Sequence, residues 1–126
     1  GASWRPSLRG SYTEQKGAAM GSRSVIVDNE HWSVISGDQV EARHHLIFGT
    51  GKRDLAEEDG LWIPLTADEH TTGELIRRVH DNPMAESLSK IAGQLAWESE
   101  YYRKAAQLAE FSARRAFRLR YGKSYL

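Results

Sequence analysis

The C-terminal third of this chain contains no proline after Pro83, and this constrains the fold more than any other feature of the sequence. Asp81-Asn82 supplies a side chain that can cap a helix, and Pro83 then suits the first helical position. The sequence therefore predicts a long helical C-terminal region, either one helix or two, with Gly93 and residues 98–104 as candidate interruptions. Apolar residues recur near helical spacing along it: Met84, Leu88, Ile91, Leu95, Leu108, Phe111 and Phe117.

The first half of the chain has the residue types of β-structure. Residues 25–27 and 32–35 are β-prone runs, and the turn residues Asp28-Asn29-Glu30 between them predict a short hairpin. A strand over residues 40–47 is predicted next, and it carries the doublet His44-His45 near its end.

A loop, a second strand and a short helix are predicted after the doublet. Residues 48–53 are a glycine-rich basic loop, and residues 61–65 predict the second strand. The acidic residues Glu57-Glu58-Asp59 between them are interpreted as a solvated loop. Thr66 then caps a short helix that contains His70. Strands followed by a long helical C-terminal region predict an α+β fold.

At 126 residues the chain is long enough for one domain with a modest core. Residues 1–22 show no apolar period and end in Gly-Ala-Ala-Met-Gly-Ser, so they are interpreted as a tag-like or disordered arm. A native mobile arm whose Trp4, Arg5 and Arg9 touch a ligand is the alternative. Residues 23–126 are then the single domain.

Composition narrows the kind of site that the domain can hold. A formal net charge of zero and a hydrophobic content of 40% indicate a globular domain and exclude a disordered polyelectrolyte. The lack of cysteine excludes disulfides and thiolate zinc sites, so a metal must be held by His, Asp, Glu or Asn. No apolar run reaches bilayer length and no signal peptide is evident, so we expect no membrane partner and a cytoplasmic location.

Four of the five histidines lie between residues 44 and 80. Adjacent side chains of a strand point to opposite faces, so one ring of His44-His45 can hold a metal while the other activates water, as phosphodiester hydrolysis requires. If the two predicted strands are antiparallel, the doublet and His70 can converge. The alternative for the doublet is a purely structural role. His80 either belongs to the site or packs near the helix cap. His31 is interpreted as a surface residue.

Several short motifs occur together in one order along residues 32–126, and together they resemble the small phage-associated HNH endonucleases. The motifs are His44-His45-Leu46-Ile47-Phe48-Gly49, Asp59-Gly60-Leu61, Pro64-Leu65, Asp68-Glu69-His70, Val79-His80-Asp81-Asn82 and residues 120–126.

This resemblance implies a ββα-metal core, in which a two-stranded hairpin and a helix hold one divalent cation against the scissile phosphate. It implies His45 as the general base, His44 and His70 as metal ligands, and His80 as a further ligand or phosphate contact. The roles of His44 and His45 are open to exchange. The ion can be Mg, Mn, Ni or Zn, because an imidazole-rich site accepts several divalent metals.

Two differences from the commoner HNH pattern stand out. Gly60 occupies the position expected for the middle asparagine, which usually orients the base. Many HNH proteins also carry four zinc-binding cysteines, and here the corresponding residues are Ser33, Ser36, Thr66 and Glu69. The core and helices must then hold the fold without that metal.

Basic and aromatic residues are candidates for contact with DNA. Arg43, Lys52 and Arg53 flank the doublet and can brace a phosphate, and the basic C-terminal region adds Arg114 and Arg118. A solvated helix face is the alternative for the latter pair. Trp97, Tyr101 and Tyr102 either stack on bases or belong to the core or an interface.

These features together predict a metal-dependent DNA endonuclease, nicking or cutting both strands. The resemblance implies a phage or mobile-element setting in the cytoplasm of a bacterial host, with a phage or host protein assembly as an additional partner. The alternative is a catalytically silent HNH-like module that binds nucleic acid or a protein, such as a phage inhibitor or packaging accessory. A small helical dimerisation domain with incidental histidines is a third hypothesis.

Overall fold

The computed structural model describes residues 22–105 and 112–126, and there it has an α+β architecture, which confirms the predicted class. The interpretation of residues 1–21 as an arm, and the helical positions Leu108 and Phe111, lie outside the described residues. The elements in chain order are strand β1 (Ala42–His45), helix α1 (Lys52–Asp59), strand β2 (Trp62–Leu65), a π-helical turn (Asp68–Thr72), a 3₁₀ turn (Leu75–Arg77), helix α2 (Pro83–Ala105) and helix α3 (Ala113–Tyr121).

Strands β1 and β2 form an antiparallel two-stranded sheet, so both strands that were predicted around the doublet exist, each shorter than expected. In the register of this pair, His44 lies opposite Ile63 and His45 lies opposite Trp62. Pro64 has no N–H to donate to the ladder, and its carbonyl oxygen accepts a hydrogen bond from Val34 N over 3.1 Å. His44 and His45 are adjacent in β1, so their side chains lie on opposite faces of the sheet.

The predicted hairpin over residues 25–35 is wrong, since within the described part of the chain this region contributes only an isolated bridge between Trp32 and Gln39. Two serines supply the physical reason. The Ser24 hydroxyl accepts hydrogen bonds from the backbone of residues 26 and 27, and the Ser33 hydroxyl accepts from residues 35 and 36. These local bonds replace the ladder that two strands would have made.

The acidic residues 57–59 lie in helix α1, which corrects their interpretation as a solvated loop. Gly51 and Gly60 bound this helix, both in the left-handed conformation with φ of 77° and 73°. A Cβ atom on Gly60 would lie 2.3 Å from the Arg23 carbonyl oxygen, so only glycine fits there. The basic loop consequently ends at Gly51, and Lys52 and Arg53 begin a helix instead.

Helix α2 runs without interruption from Pro83 to Ala105, so neither Gly93 nor the polar stretch 98–104 breaks it. Asn82 accepts a hydrogen bond from Ala85 N, which confirms the predicted cap. Gly93 is buried, and a Cβ atom there would lie 2.8 Å from Ile47 Cγ1, so this glycine lets α2 approach the chain that leaves β1. Helix α3 is a second helix, capped by Ser112.

The core lies between α1, the residues that flank the two strands, and helices α2 and α3. Its buried members are Ile47, Ala56, Leu61, Phe117 and Tyr121. The carboxylate of Asp59 connects α1 to the other two helices. It accepts hydrogen bonds from Trp97 of α2 and from Arg120 and Tyr121 of α3. Within the described ranges, none of the helices combines the length and the apolar character needed to cross a bilayer.

Candidate active site

Three separate segments of the chain bring His44, His70 and His80 together. His44 lies in β1, His70 in the π-helical turn that follows β2, and His80 just before α2. The backbone joins the last two, because His80 N donates to the His70 carbonyl oxygen over 3.1 Å. Asp81, the next residue, adopts a left-handed conformation (φ 70°) and its N–H donates to Glu86, which turns the chain into α2.

The three imidazoles are close enough to share one cation. Each offers one nitrogen, and these three atoms lie within 4.8 Å of one another. The ring centroids are 5.2 Å apart for His44 and His70, 5.1 Å for His44 and His80, and 4.6 Å for His70 and His80. A zinc ion binds imidazole nitrogen at about 2.0–2.1 Å, so small side-chain rotations would complete a three-histidine site. We call these residues the histidine cluster.

The hydrogen bonds of His44 determine which of its nitrogens is free. Ser89 Oγ donates its single proton to the Leu46 carbonyl oxygen over 2.8 Å, so it must accept from His44 Nε2, which lies 2.8 Å away. The Nδ1 atom of His44 then carries a lone pair. It is buried and has no hydrogen-bond partner among the described residues. A buried acceptor without a donor is costly, and a cation would satisfy it.

Burial favours the neutral, metal-binding form of His44 and His70. Burial, helped by the neighbouring His70, His80 and His45, lowers the pKa of His44 to about 3. Burial is also the largest cause that lowers the pKa of His70, followed by the charges of His80, His45 and Arg53. Neutral imidazole is the form that coordinates metals, so at pH 7 no proton has to leave His44 before a cation binds.

The low pKa of His44 predicts acid sensitivity of the metal-free protein. Its folded pKa lies below the unfolded value of 6.5, so the unfolded chain binds the proton first. Stability is therefore full above pH 6.5 and falls as the pH drops towards 3, with a slope of up to about 1.4 kcal/mol per pH unit for one group. Urea unfolding between pH 7 and pH 5 measures it, and His44→Gln should flatten the slope. An equal slope in this variant would contradict the assignment.

His45 makes a different set of contacts from His44. It is 7% exposed, and its Nε2 lies 2.6 Å from Glu57 Oε1 on helix α1. Glu57 Oε2 in turn lies 2.5 Å from Arg43 Nη1, and the Arg43 guanidinium stacks 3.6 Å from the centre of the Trp62 ring. Trp62 is the cross-strand neighbour of His45, so these four residues form one connected chain.

Glu57 is a carboxylate at neutral pH. Burial by itself would raise its pKa, but the hydrogen bond with His45 and the charge of Arg43 outweigh burial, and the net shift is downward. An ionised carboxylate accepts only, so His45 Nε2 carries a proton and its Nδ1 is left as the basic nitrogen. Sequence reasoning missed Glu57. The glycines on either side of residues 52–59 were the available signal, because they mark a helix that can carry Glu57 to the sheet.

The predicted phosphate-binding residues separate into different environments. Arg43 is committed to Glu57 and Trp62, and Arg114 pairs with Glu98 at 2.7 Å. Arg53 is exposed at the start of α1, and its charge reaches His70. Lys52 Nζ lies 5.8 Å from the centre of the Tyr125 ring, and Arg118 is exposed on α3.

The aromatic residues of α2 also lie in different environments. Trp97 packs edge-on against Phe117 and donates to Asp59, which places it against the core. It stacks on Tyr101 with the ring centroids 5.5 Å apart. Tyr102 is exposed.

Four polar residues, Ser33, Ser36, Thr66 and Glu69, lie together beside the π-helical turn. Glu69 Oε1 accepts hydrogen bonds from Ser33 Oγ over 2.6 Å and from Thr66 N over 2.9 Å, and Glu69 N donates to Thr66 Oγ1. Ser36 N donates to Ser33 Oγ over 3.2 Å, which joins it to the same network. Burial alone would raise the pKa of Glu69, and these bonds outweigh it, so the carboxylate stays ionised. This network fixes the start of the π-helical turn that carries His70.

Comparison with known proteins adds no assignment. No protein-family model matches the chain, and neither a curated protein nor a solved structure matches it. The chemistry of the site must therefore be inferred from its own residues.

Proposed function

We propose that this protein is a metal-dependent DNA endonuclease that hydrolyses phosphodiester bonds. One observation carries the proposal. In the histidine cluster, His44 Nδ1 is buried and has a free lone pair, and the adjacent residue His45 is held by the ionised carboxylate of Glu57. A cation site beside an oriented base is what phosphodiester hydrolysis needs. The ordered motifs that resemble HNH endonucleases support the same reaction.

In this proposal His44, His70 and His80 bind one divalent cation, and Ser89 Oγ orients the His44 ring by accepting a hydrogen bond from its Nε2–H. Such a cation, when bound, offsets the charge that develops on the leaving oxygen. Three neutral imidazoles suit zinc, nickel or manganese better than magnesium, which prefers oxygen ligands. Magnesium therefore serves only if phosphate and water oxygens complete the site.

His45 is the proposed general base. With Nε2–H bonded to Glu57, its Nδ1 can take a proton from the attacking water. The Glu57 carboxylate then stabilises the imidazolium that forms, and Arg43 holds that carboxylate in place from its other oxygen. In this assignment Glu57 orients the base, the task that an asparagine performs in commoner HNH sites, while Gly60 only ends helix α1.

Because the Glu57 carboxylate is proposed to stabilise the His45 imidazolium, Glu57→Gln should slow the reaction. The amide keeps the size of the side chain but cannot stabilise imidazolium as a carboxylate does, so we expect kcat to fall about 10²–10⁴-fold. KM and metal affinity should remain unchanged. Steady-state cleavage of a fluorogenic oligonucleotide separates these quantities, with Glu58→Gln on the exposed side of α1 as the matched control. A rise of KM with constant kcat would instead place Glu57 in substrate binding.

DNA as the substrate, a phage setting in a bacterial cytoplasm and a phage or host assembly as partner are proposals that rest on the resemblance to phage-associated HNH endonucleases. Affinity-tagged protein recovered from phage-infected cells tests the assembly. Recovery without any phage or host protein would contradict it.

Nicking and linearisation of supercoiled plasmid test the proposed activity. Purified protein is assayed with magnesium, manganese, nickel or zinc, and the exposed residue His31 supplies the control variant His31→Ala. We expect cutting that requires a divalent ion and survives in His31→Ala. A folded protein that cuts with none of the ions would favour the silent binding module.

A further inference from the structure

Three lysines from separate parts of the chain gather around one aromatic ring. The Nζ atoms of Lys52 at the start of α1, Lys90 in the middle of α2 and Lys123 after α3 lie 5.8, 5.8 and 5.2 Å from the centre of the Tyr125 ring. We call this set the lysine cluster. Cations within about 6 Å of a ring centre are attracted by its negative face, which offsets part of their mutual repulsion.

These ammonium groups keep their charge available. None of the ion pairs between residues of the described ranges 22–105 and 112–126 uses Lys52, Lys90 or Lys123. The protein has no net charge, so three unneutralised cations at one place form a local positive field. An anion with several charges would gain most from that field.

Tyr125 is held rigidly at this place by a buried amide. Gln94 on α2 is fully buried, its Oε1 accepts from Tyr125 N over 2.6 Å, and its Nε2 donates to Ser124 Oγ over 3.0 Å. The Tyr125 ring also packs edge-on against Phe117 of the core. The Lys123-Ser124-Tyr125 segment is thus a fixed part of the surface beside α2, and neither catalysis nor metal binding accounts for it.

The lysine cluster adjoins the histidine cluster through a single aromatic side chain. Lys90 Nζ lies 4.6 Å from the centre of the Phe48 ring, and that ring lies 4.8 Å from His80 and 5.7 Å from His44 between centroids. A polymer bound at the lysines therefore passes close to the histidines. Among polyanions, a nucleic acid is the one whose own backbone contains the bond that this site is proposed to cut.

We propose that Lys52, Lys90 and Lys123, assembled on Tyr125, bind the phosphodiester backbone of the nucleic acid on one side of the histidine cluster. The choice of nucleic acid as the polyanion rests on the proposed nuclease function, whereas the existence of an anion-binding cluster does not. Phosphate contacts of this kind fix the register of the strand without reading its sequence.

Fluorescence anisotropy with a short labelled DNA duplex and its single strand, in EDTA, tests binding apart from cutting. The variant combines Lys52→Gln, Lys90→Gln and Lys123→Gln, and its control combines Arg103→Gln, Lys104→Gln and Arg115→Gln, with the same charge change elsewhere. We expect the lysine variant to bind roughly tenfold or more weakly, and the salt slope of log K to shrink by about 3. Arginine at the same three positions should retain binding.

Equal binding by the lysine variant and its control, both folded by circular dichroism, would overturn the proposal. Lysine-dependent binding of polyglutamate with no binding of either DNA would overturn the choice of nucleic acid. Lysine-dependent DNA binding by a protein that never cuts would refute the nuclease function and leave this inference standing. A cutting protein whose lysine variant binds and cuts like the wild type would refute this inference alone.

Discussion

His45→Ala is expected to slow DNA cleavage by about 10²–10⁴-fold, the usual contribution of a general base, while metal affinity stays at the wild-type level. The His45 ring contacts Glu57 and is not a member of the histidine cluster, so its removal leaves the cation ligands intact. Glu57 also keeps its partner Arg43, and no carboxylate is left unpaired in the variant. The fold should therefore survive the substitution.

Single-turnover cleavage at saturating metal measures the effect of His45→Ala, and isothermal titration with the same metal measures the affinity. His31→Ala is the control, because His31 is exposed and is neither a member of the histidine cluster nor the proposed base. Should His45→Ala cleave at the wild-type rate, the base must be another group, and an exchange of roles with His44 would be the next hypothesis to examine.

His70→Ala is expected to lose metal binding and cleavage together. The variant removes one of three ligands, and since even the outer partners of a ligand are worth about 10–100-fold in affinity, we expect a loss of at least about 100-fold. His70 is the better choice for this test than His44. His44 is fully buried and bonded to Ser89, so its replacement would also disturb the packing around β1.

Competition with a chromophoric chelator measures the affinity of His70→Ala, and the melting temperature of the metal-free protein checks its fold. The pattern should differ from that of His45→Ala, which keeps the metal and loses the reaction. Wild-type metal affinity in His70→Ala would remove His70 from the site.

Local signals in the sequence predicted those parts of the fold that neighbouring residues determine. Asn82-Pro83 begins α2 because a capping side chain and a residue without an N–H suit the first turn of a helix. Thr66 caps the turn that carries His70, in a reciprocal exchange with Glu69. The meeting of His44 with His70 followed from the antiparallel pairing of two adjacent strands.

Contacts between distant residues could not be predicted in the same way. Residues 57–59 have the composition of a solvated loop, and only the folded chain places Glu57 against His45 and Arg43. The β-prone runs near residues 25 and 34 gave a wrong hairpin because β propensity takes no account of the serine hydroxyls that bond to the adjacent backbone. The lysine cluster likewise depends on Gln94, 31 residues before Tyr125, which accepts a hydrogen bond from the Tyr125 backbone N–H and so fixes the segment that carries the ring.

The most direct test of the central claim, a cation held by His44, His70 and His80, is a zinc titration followed by ¹H–¹⁵N correlation spectra of the histidine side chains. Before zinc, His44 should show the Nε2–H tautomer that Ser89 imposes. We expect the nitrogen signals of His44, His70 and His80 to shift and to saturate at one equivalent, with His44 changing at Nδ1 and His31 remaining unchanged. A folded protein in which these three histidines keep their metal-free signals would contradict the account.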